Sequence, residues 1–282
     1  MVHRVILFSE TKAEDAVGTK AKNIALLFRA RFPVPQGFII TADAFKPAIR
    51  GERDPDPFVF PEPLRLEIEE AFKQYVTPPV VVRSSCSAED LESASFAGQY
   101  ESILNVTSDD LLKSIKRCWL SVYKDHAQTY MTQRLNAADE APAMSVIVQE
   151  LIDADAAGVV FSRNPITGNE DEIMINSNFG LGETVVTGLA TPDFYVLSKR
   201  GNTVLRKELG EKMCKAVLDR KGTRIVETTL QEQSGYSLQD EQLHELRGMT
   251  LAIETFLGHP VDLEFAYRQG KLYILQARRI TA

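Results

Sequence analysis

Two β-rich runs near the C-terminal end carry residue types that could hold a metal ion and a phosphate. VDLEFAY (261–267) and LYILQAR (272–278) flank Arg268, Gln269, Gly270 and Lys271, the pattern of an antiparallel hairpin with a short Gly-containing link. A two-residue loop would set Glu264 opposite Leu275. A three-residue loop, Gln269 to Lys271, sets Glu264 opposite Gln276 and Asp262 opposite Arg278. It also gathers Leu263, Phe265, Tyr267, Tyr273, Leu275 and Ala277 on the other face. This second register is the one expected, because it separates polar from apolar side chains and a slip of one residue destroys the separation. Directly opposed Cβ atoms lie about 5 Å apart, close enough for Glu264 and Gln276 to share one hard cation. Arg278 then stands beside them as a two-pronged donor for phosphate. A polar hairpin face is, taken alone, more often a solvated surface, so the other motifs decide.

A second set of candidates sits at the ends of other apolar runs. PPVVV (78–82) reads as a buried strand, and Arg83 emerges at its C-terminal end, where α/β sheets usually present ligand contacts. Ser84, Ser85, Cys86 and Ser87 follow, then the acidic Glu89, Asp90 and Glu92, the turn SFAGQ (95–99) and the strand-like YESILNV (100–106). A loop so long and so rich in small residues, 84–102, is expected to be a mobile lid between its flanking strands. Cys86 has no neighbouring base and reads as a small filler residue, not a nucleophile. TKAEDAVGTKAKNIALLFRA (11–30) is a Gly-interrupted loop running into a helix whose apolar stripe is Ala21, Ile24, Ala25, Leu27 and Phe28. Lys20 and Lys22 therefore fall near a helix N-terminus, where backbone donors favour an anion; two solvated lysines are the plainer alternative. The GxxxxGK[ST] phosphate loop is absent. The GLG at 180–182 lacks the third glycine and the acidic residue of a dinucleotide fingerprint. MSVIVQEL (144–151) is a buried strand ending in the polar Gln149 and Glu150.

The elements that must position these residues are readable from periodicity. LRLEIEEAFKQY (64–75) is an amphipathic helix with Leu64, Leu66, Ile68, Ala71, Phe72 and Tyr75 apolar. DDLLKSIKRCWLSVYKDHAQTYMTQR (109–134) is a long helix, acidic first and basic late as its dipole prefers, with His126 in a structural place. LQDEQLHELRGMTLAIETFLGH (238–259) is a helix closed by Gly258. Residues 51–63 are Pro-rich and charged, a surface loop, and short strands with Gly-marked turns fill 199–237. Composition shifts near 188–198, so two lobes are expected in an α+β or α/β fold, one about 1–190 and the other about 191–282.

The chain has 282 residues, 44% hydrophobic and 25% charged, which is ordinary for a globular protein with a large core. A net charge of -7 argues against a nucleic-acid footprint or a polybasic membrane surface. The cysteines, Cys86, Cys118 and Cys214, are scattered, form no CxxC and fit a reducing compartment. The N-terminal apolar run is too short for a signal peptide, and no stretch reaches the ~20 apolar residues of a membrane helix. A cytoplasmic protein without nucleic-acid or membrane partners is expected.

Six stretches carry a resemblance: VGTKAKN (17–23), VVRSSCSAEDLESASFAGQYES (81–102), VIVQEL (146–151), SRNPITG (162–168), NFGLGETVVTGLATPD (178–193) and VDLEFAYRQGKLYILQARRIT (261–281). Together, in order and along essentially the whole chain, they resemble the nucleotide-binding domain of the phosphoenolpyruvate synthase and pyruvate phosphate dikinase family, which includes rifampicin phosphotransferases. The resemblance implies an ATP-grasp variant in which two lobes clamp ATP and the C-terminal antiparallel hairpin lies in the active site. It implies that Lys20 and Arg83 hold ATP phosphates and that Ser102 replaces a threonine near the terminal ones. Gln149 would mark the adenine-side strand, with the backbone of Glu150 and Leu151 at the hinge. Glu264 and Gln276 would hold Mg2+, and Arg278 the phosphates, which makes Arg83 and Arg278 the candidate catalytic cations. Two positions depart from the family pattern: Thr19 stands where a second glycine is usual, and Arg279 where a proline follows the arginine.

The family passes phosphate through a histidine on a swivelling domain, in a glycine-rich motif. His3, His126, His244 and His259 all lie outside such a context. The resemblance therefore implies an ATP- and Mg2+-binding phosphotransferase component whose phosphohistidine domain and acceptor-binding domain are supplied elsewhere. A non-catalytic nucleotide-binding or regulatory module is the competing reading. The complete set of polar motif residues favours the enzyme component.

Overall fold

The computed structural model describes residues 4–44, 59–86, 101–121 and 144–280. Most of the expected lid (87–100), the second half of the expected 109–134 helix and His126 lie outside the described residues. Contact density divides the chain into two compact units, one of residues 1–30 and 35–151, the other of 31–34 and 152–282. The boundary at Leu151/Ile152 precedes the compositional seam near 190 by some forty residues. The reason is strand pairing. Segments on both sides of that seam build one sheet, so the change of composition falls inside a unit.

The first unit holds a five-stranded antiparallel sheet in the order β1-β2-β5-β3-β4. Its strands are β1 (Val5–Leu7), β2 (Gly37–Ile40), β3 (Val80–Cys86), β4 (Ser102–Val106) and β5 (Met144–Glu150). Helices α1 (Thr19–Arg29), α2 (Glu62–Tyr75) and α3 (Leu111–Leu120) accompany it. Period-two alternation sends Val80, Val82 and Cys86 of β3, with Val146 and Val148 of β5, into a core closed by Leu64, Ile68 and Phe72 of α2 and Ile115 and Trp119 of α3. The opposite face carries Val81, Arg83 and Ser85 of β3 across from Gln149, Ile147 and Ser145 of β5. Helix α1 packs on these two strands, burying Ala21, Ile24, Ala25 and Leu27. All but Phe28 of the stripe read from the sequence is therefore buried.

The second unit holds a six-stranded antiparallel sheet in the order β13-β12-β6-β7-β8-β9. Its strands are β6 (Ala156–Phe161), β7 (Glu172–Phe179), β8 (Asp193–Ser198), β9 (Val204–Glu208), β12 (Val261–Arg268) and β13 (Lys271–Arg279). A separate hairpin pairs β10 (Cys214–Leu218) with β11 (Thr223–Glu227). Helices α4 (Glu183–Val186), α5 (Leu230–Ser234) and α6 (Asp240–Leu257) complete the unit, and α6 ends at Gly258 as expected. The four-residue strap 31–34 belongs here too: Pro33 C=O accepts the Ile274 N–H of edge strand β13 at 2.9 Å, and the Phe32 ring lies 5.5 Å from Phe256.

A buried ion pair sits beneath β8. Lys212 Nζ donates to Asp193 Oδ1 at 2.6 Å, with both side chains fully shielded from water. The remaining Asp193 acceptor capacity is taken by the N–H of Gly210 at 2.9 Å and by the N–H and hydroxyl of Ser237 at 2.7 and 2.8 Å. Such a pair survives burial only when its other hydrogen bonds are made, as here.

Candidate functional site

The C-terminal hairpin has the expected register at one end and a different one at the other. Asp262 pairs with Arg278, Leu263 with Ala277 and Glu264 with Gln276. Beyond Glu264 the register shifts, so that Phe265 faces Ile274 and Tyr267 faces Leu272. The closing loop is therefore two residues, Gln269 and Gly270, not three. Both have positive φ, 50° and 74°, the geometry of the tight turns that suit twisted hairpins. A bulge at Leu275 absorbs the odd residue. The inward set is corrected accordingly: Leu272 and Ile274 are buried, while Tyr273 and Leu275 are only half-buried and Lys271 Nζ sits 4.9 Å from the Tyr273 ring centre.

The polar face of this hairpin brings three sequence candidates together. Arg278 Nη2 lies 3.7 Å from Asp262 Oδ2 and 3.9 Å from Glu264 Oε1. Gln276 is 4% exposed and directly opposite Glu264. Burial pushes the Asp262 carboxyl up to about 6; the Arg278 guanidinium opposes this and the Glu264 carboxylate reinforces it. Two carboxylates thus lie within 4 Å of one guanidinium. The donor set of two carboxylates and an amide oxygen fits a hard cation such as Mg2+, which takes one or two protein carboxylates and completes its shell from phosphate and water. Among the described residues no group of three or more His, Cys, Asp or Glu could hold a metal.

The same sheet face extends across the neighbouring strands. Asp262 faces Phe161 and Glu264 faces Val159 on β6, and Val159 faces Asn176 on β7. Asn176 is half-buried. It was missed in the sequence because only strand order places it in line with Glu264. The alternation EIMINSNF was the one available signal.

In the first unit, four candidates lie on or beside the face covered by α1. Arg83 is half-buried, directly opposite the exposed Ser102 on one side and Ile147 on the other. Gln149, 1% exposed, faces Val81 two residues along the same row, and its Nε2 donates to Pro35 C=O at 3.5 Å. Lys20 is the second residue of α1. Its turn is tied to the sheet by Ala21 N–H donating to Ser85 Oγ at 3.1 Å and Gly18 N–H donating to Ser145 Oγ at 3.0 Å. The hinge pair is already bonded: Glu150 N–H donates to Gln36 C=O at 2.9 Å, Leu151 N–H to Pro79 C=O at 3.0 Å, and Glu150 Oε1 accepts the Thr77 N–H at 2.8 Å.

Other conspicuous motifs have structural duties. Asn164 of SRNPITG accepts the N–H groups of Ile166 and Thr167 at 2.9 and 3.2 Å and donates to Glu172 at 2.6 Å, which shapes its own turn. In the GLG turn, Gly180 N–H donates to Asp155 C=O and Leu181 N–H to Ala216 C=O, both at 2.9 Å. Asp193 of the TPD run is the buried partner of Lys212.

A family model described as "Pyruvate phosphate dikinase, AMP/ATP-binding domain" matches residues 58–282. The chain is 35% identical over 293 residues to the uncharacterized phosphotransferase YvkC of Bacillus subtilis, covering 99% of this chain and 35% of that protein. It is 32% identical over 362 residues to phosphoenolpyruvate synthase of Pyrococcus furiosus, covering 100% of this chain and 44% of that one. It is 34% identical over 290 residues to the prodigiosin synthesizing transferase PigC of Serratia marcescens, with 96% and 32% covered. The chain thus spans less than half the length of these relatives. Among solved structures, a dinucleotide forming acetyl-coenzyme A synthetase 1 from Ca. Korarchaeum cryptofilum is similar over 98% of this chain and 92% of that one, at 11% identity and a TM-score of 0.44.

Proposed function

We propose, from the premise that this chain belongs to the pyruvate phosphate dikinase AMP/ATP-binding domain family, that it binds ATP together with Mg2+ and delivers a phosphoryl group to a histidine on another domain. Lys20 and Arg83 of the first unit and Arg278 of the second neutralise phosphate charge. Ser102 stands by the terminal phosphates, and Gln149, Glu150 and Leu151 line the adenine side. Because the N–H groups of Glu150 and Leu151 already donate to backbone carbonyls, adenine contacts there fall to carbonyl oxygens and the Gln149 amide. Glu264 and Gln276 hold the metal, with Asp262 beside them. When bound, Mg2+ supplies positive charge at the phosphate oxygens. Phosphoryl transfer is chiefly positioning and charge neutralisation, which is what these residue types provide.

The observation that carries this reading is the row Asp262, Glu264, Gln276 and Arg278, which one strand register gathers on one face of the hairpin. Calorimetric titration of ATP with and without Mg2+ tests it. Wild-type chain is expected to bind ATP more tightly with Mg2+, and Glu264→Ala to lose that difference. Unchanged metal dependence in Glu264→Ala removes the metal assignment.

A further inference from the structure

The first turn of α1 lacks a cap of its own. Gly18 occupies the N-cap position and has no side chain with which to accept a helix N–H. Two serines from distant strands supply what is missing. Ser85 Oγ on β3 accepts the Ala21 N–H at 3.1 Å, and Ser145 Oγ on β5 accepts the Gly18 N–H at 3.0 Å. The two serines are a directly opposed pair, and Ser145 Oγ also donates to Ser85 C=O at 2.8 Å. Both are fully buried. The approach is so close that a Cβ at residue 18 would lie 2.4 Å from Ser85 Oγ and 2.6 Å from its carbonyl oxygen, which explains the glycine.

Lys20 stands between the two tethered residues, and Arg83 lies two residues before Ser85 on the same strand face. The bridge therefore fixes the backbone of one phosphate-directed cation to the strand that carries another. We propose that Ser85 and Ser145 are positioning residues that hold Lys20 in register with Arg83 for the phosphates of ATP. The inference rests on the ATP-binding reading above. Holding two charges at a set separation lowers the ordering cost when a polyphosphate arrives, and small displacements of such groups have large effects.

The test is a double-mutant cycle on the full chain. MgATP and adenosine are titrated calorimetrically into wild type, Ser85→Ala, Ser145→Ala, Lys20→Ala and the two double variants. Each serine variant is expected to weaken ATP binding about five- to tenfold, the scale of a lost helix cap. Adenosine affinity should stay unchanged, and neither substitution should weaken ATP further once Lys20 is alanine. Equal losses for ATP and adenosine, or an undiminished serine effect in the Lys20→Ala background, overturn the proposal in favour of general scaffolding. So does loss of folding in both serine variants; if only Ser85→Ala fails to fold, Ser145→Ala carries the cycle, since it removes the Gly18 bond and spares the Ala21 bond. ATP binding by wild type with unaltered serine variants overturns this inference alone. A wild type that binds no ATP overturns the reading beneath it and this inference together.

Discussion

Arg83 and Arg278 occupy similar situations in two different sheets: each stands half-buried with a polar residue directly opposite, Ser102 for Arg83 and Asp262 for Arg278, on a strand whose other face packs a core. Neither contributes to an apolar cluster, so replacing either with alanine should spare the fold. ATP affinity is expected to fall by about 1–3 kcal/mol per arginine, the worth of a charge-assisted hydrogen bond. The ligand-free melting temperature should barely move, which differential scanning calorimetry checks. Lys212 should behave in the opposite way. Its ammonium is fully buried against Asp193, so Lys212→Met leaves an uncompensated buried carboxylate at a cost of about 3–5 kcal/mol, read by chemical denaturation. The two kinds of charge look alike in the sequence. Arg83 reads as a ligand candidate because it follows an apolar run, whereas Asp193 sits in a stretch that carries the family resemblance and pairs with Lys212 within the fold. Nothing local distinguishes a carboxylate aimed at a ligand from one aimed at a lysine nineteen residues later.

Elements were legible where period and turn chemistry act locally. The helix 240–257, with its left-handed Gly258 end, and the stripe of α1 follow from patterns within one segment. The hairpin was legible at its polar end because separation of polar from apolar fixes Asp262 against Arg278. It was misread at the turn because a bulge can restore a register that a two-residue loop would otherwise displace. The serine cap on α1 was invisible because its donors and acceptors are 64 and 127 residues apart. The short helix α5 offers a further test. Thr229 and Glu232 form a reciprocal cap, and Glu232 also pairs with Lys215. Burial alone would raise the Glu232 carboxyl, but the bonds from Lys215 and from the Thr229 backbone and hydroxyl outweigh it and hold it below its usual 4.5. A depressed carboxyl stabilises the fold fully above its unfolded value and loses that contribution as pH falls through the folded one. Wild type should therefore exceed Glu232→Gln in stability at neutral pH. The gap should close on acidification below 4.5, as measured by urea denaturation across that range.

Each unit combines an antiparallel sheet with helices, in the family whose AMP/ATP-binding domain the chain matches. Among the described residues no helix is long and apolar enough to cross a membrane. Of the described histidines, His244 lies on α6 and the His259 ring Nδ1 stands 3.0 Å from Pro260 C=O. With no second protein added, the chain is expected to form no phosphoenolpyruvate from pyruvate and ATP, while hydrolysing ATP slowly. Robust turnover in a coupled pyruvate assay would assign it the complete reaction. Neither unit is a continuous stretch of chain, because residues 31–34 are enclosed in sequence by the first unit yet fold with the second. That short excursion restricts how the gene can be rearranged. A crossover at Leu151 between two homologous genes would give Phe32 and Pro33 to one parent and their contacts Phe256 and Ile274 to the other. Keeping both contacts within one parent requires that 31–34 travel with 152–282.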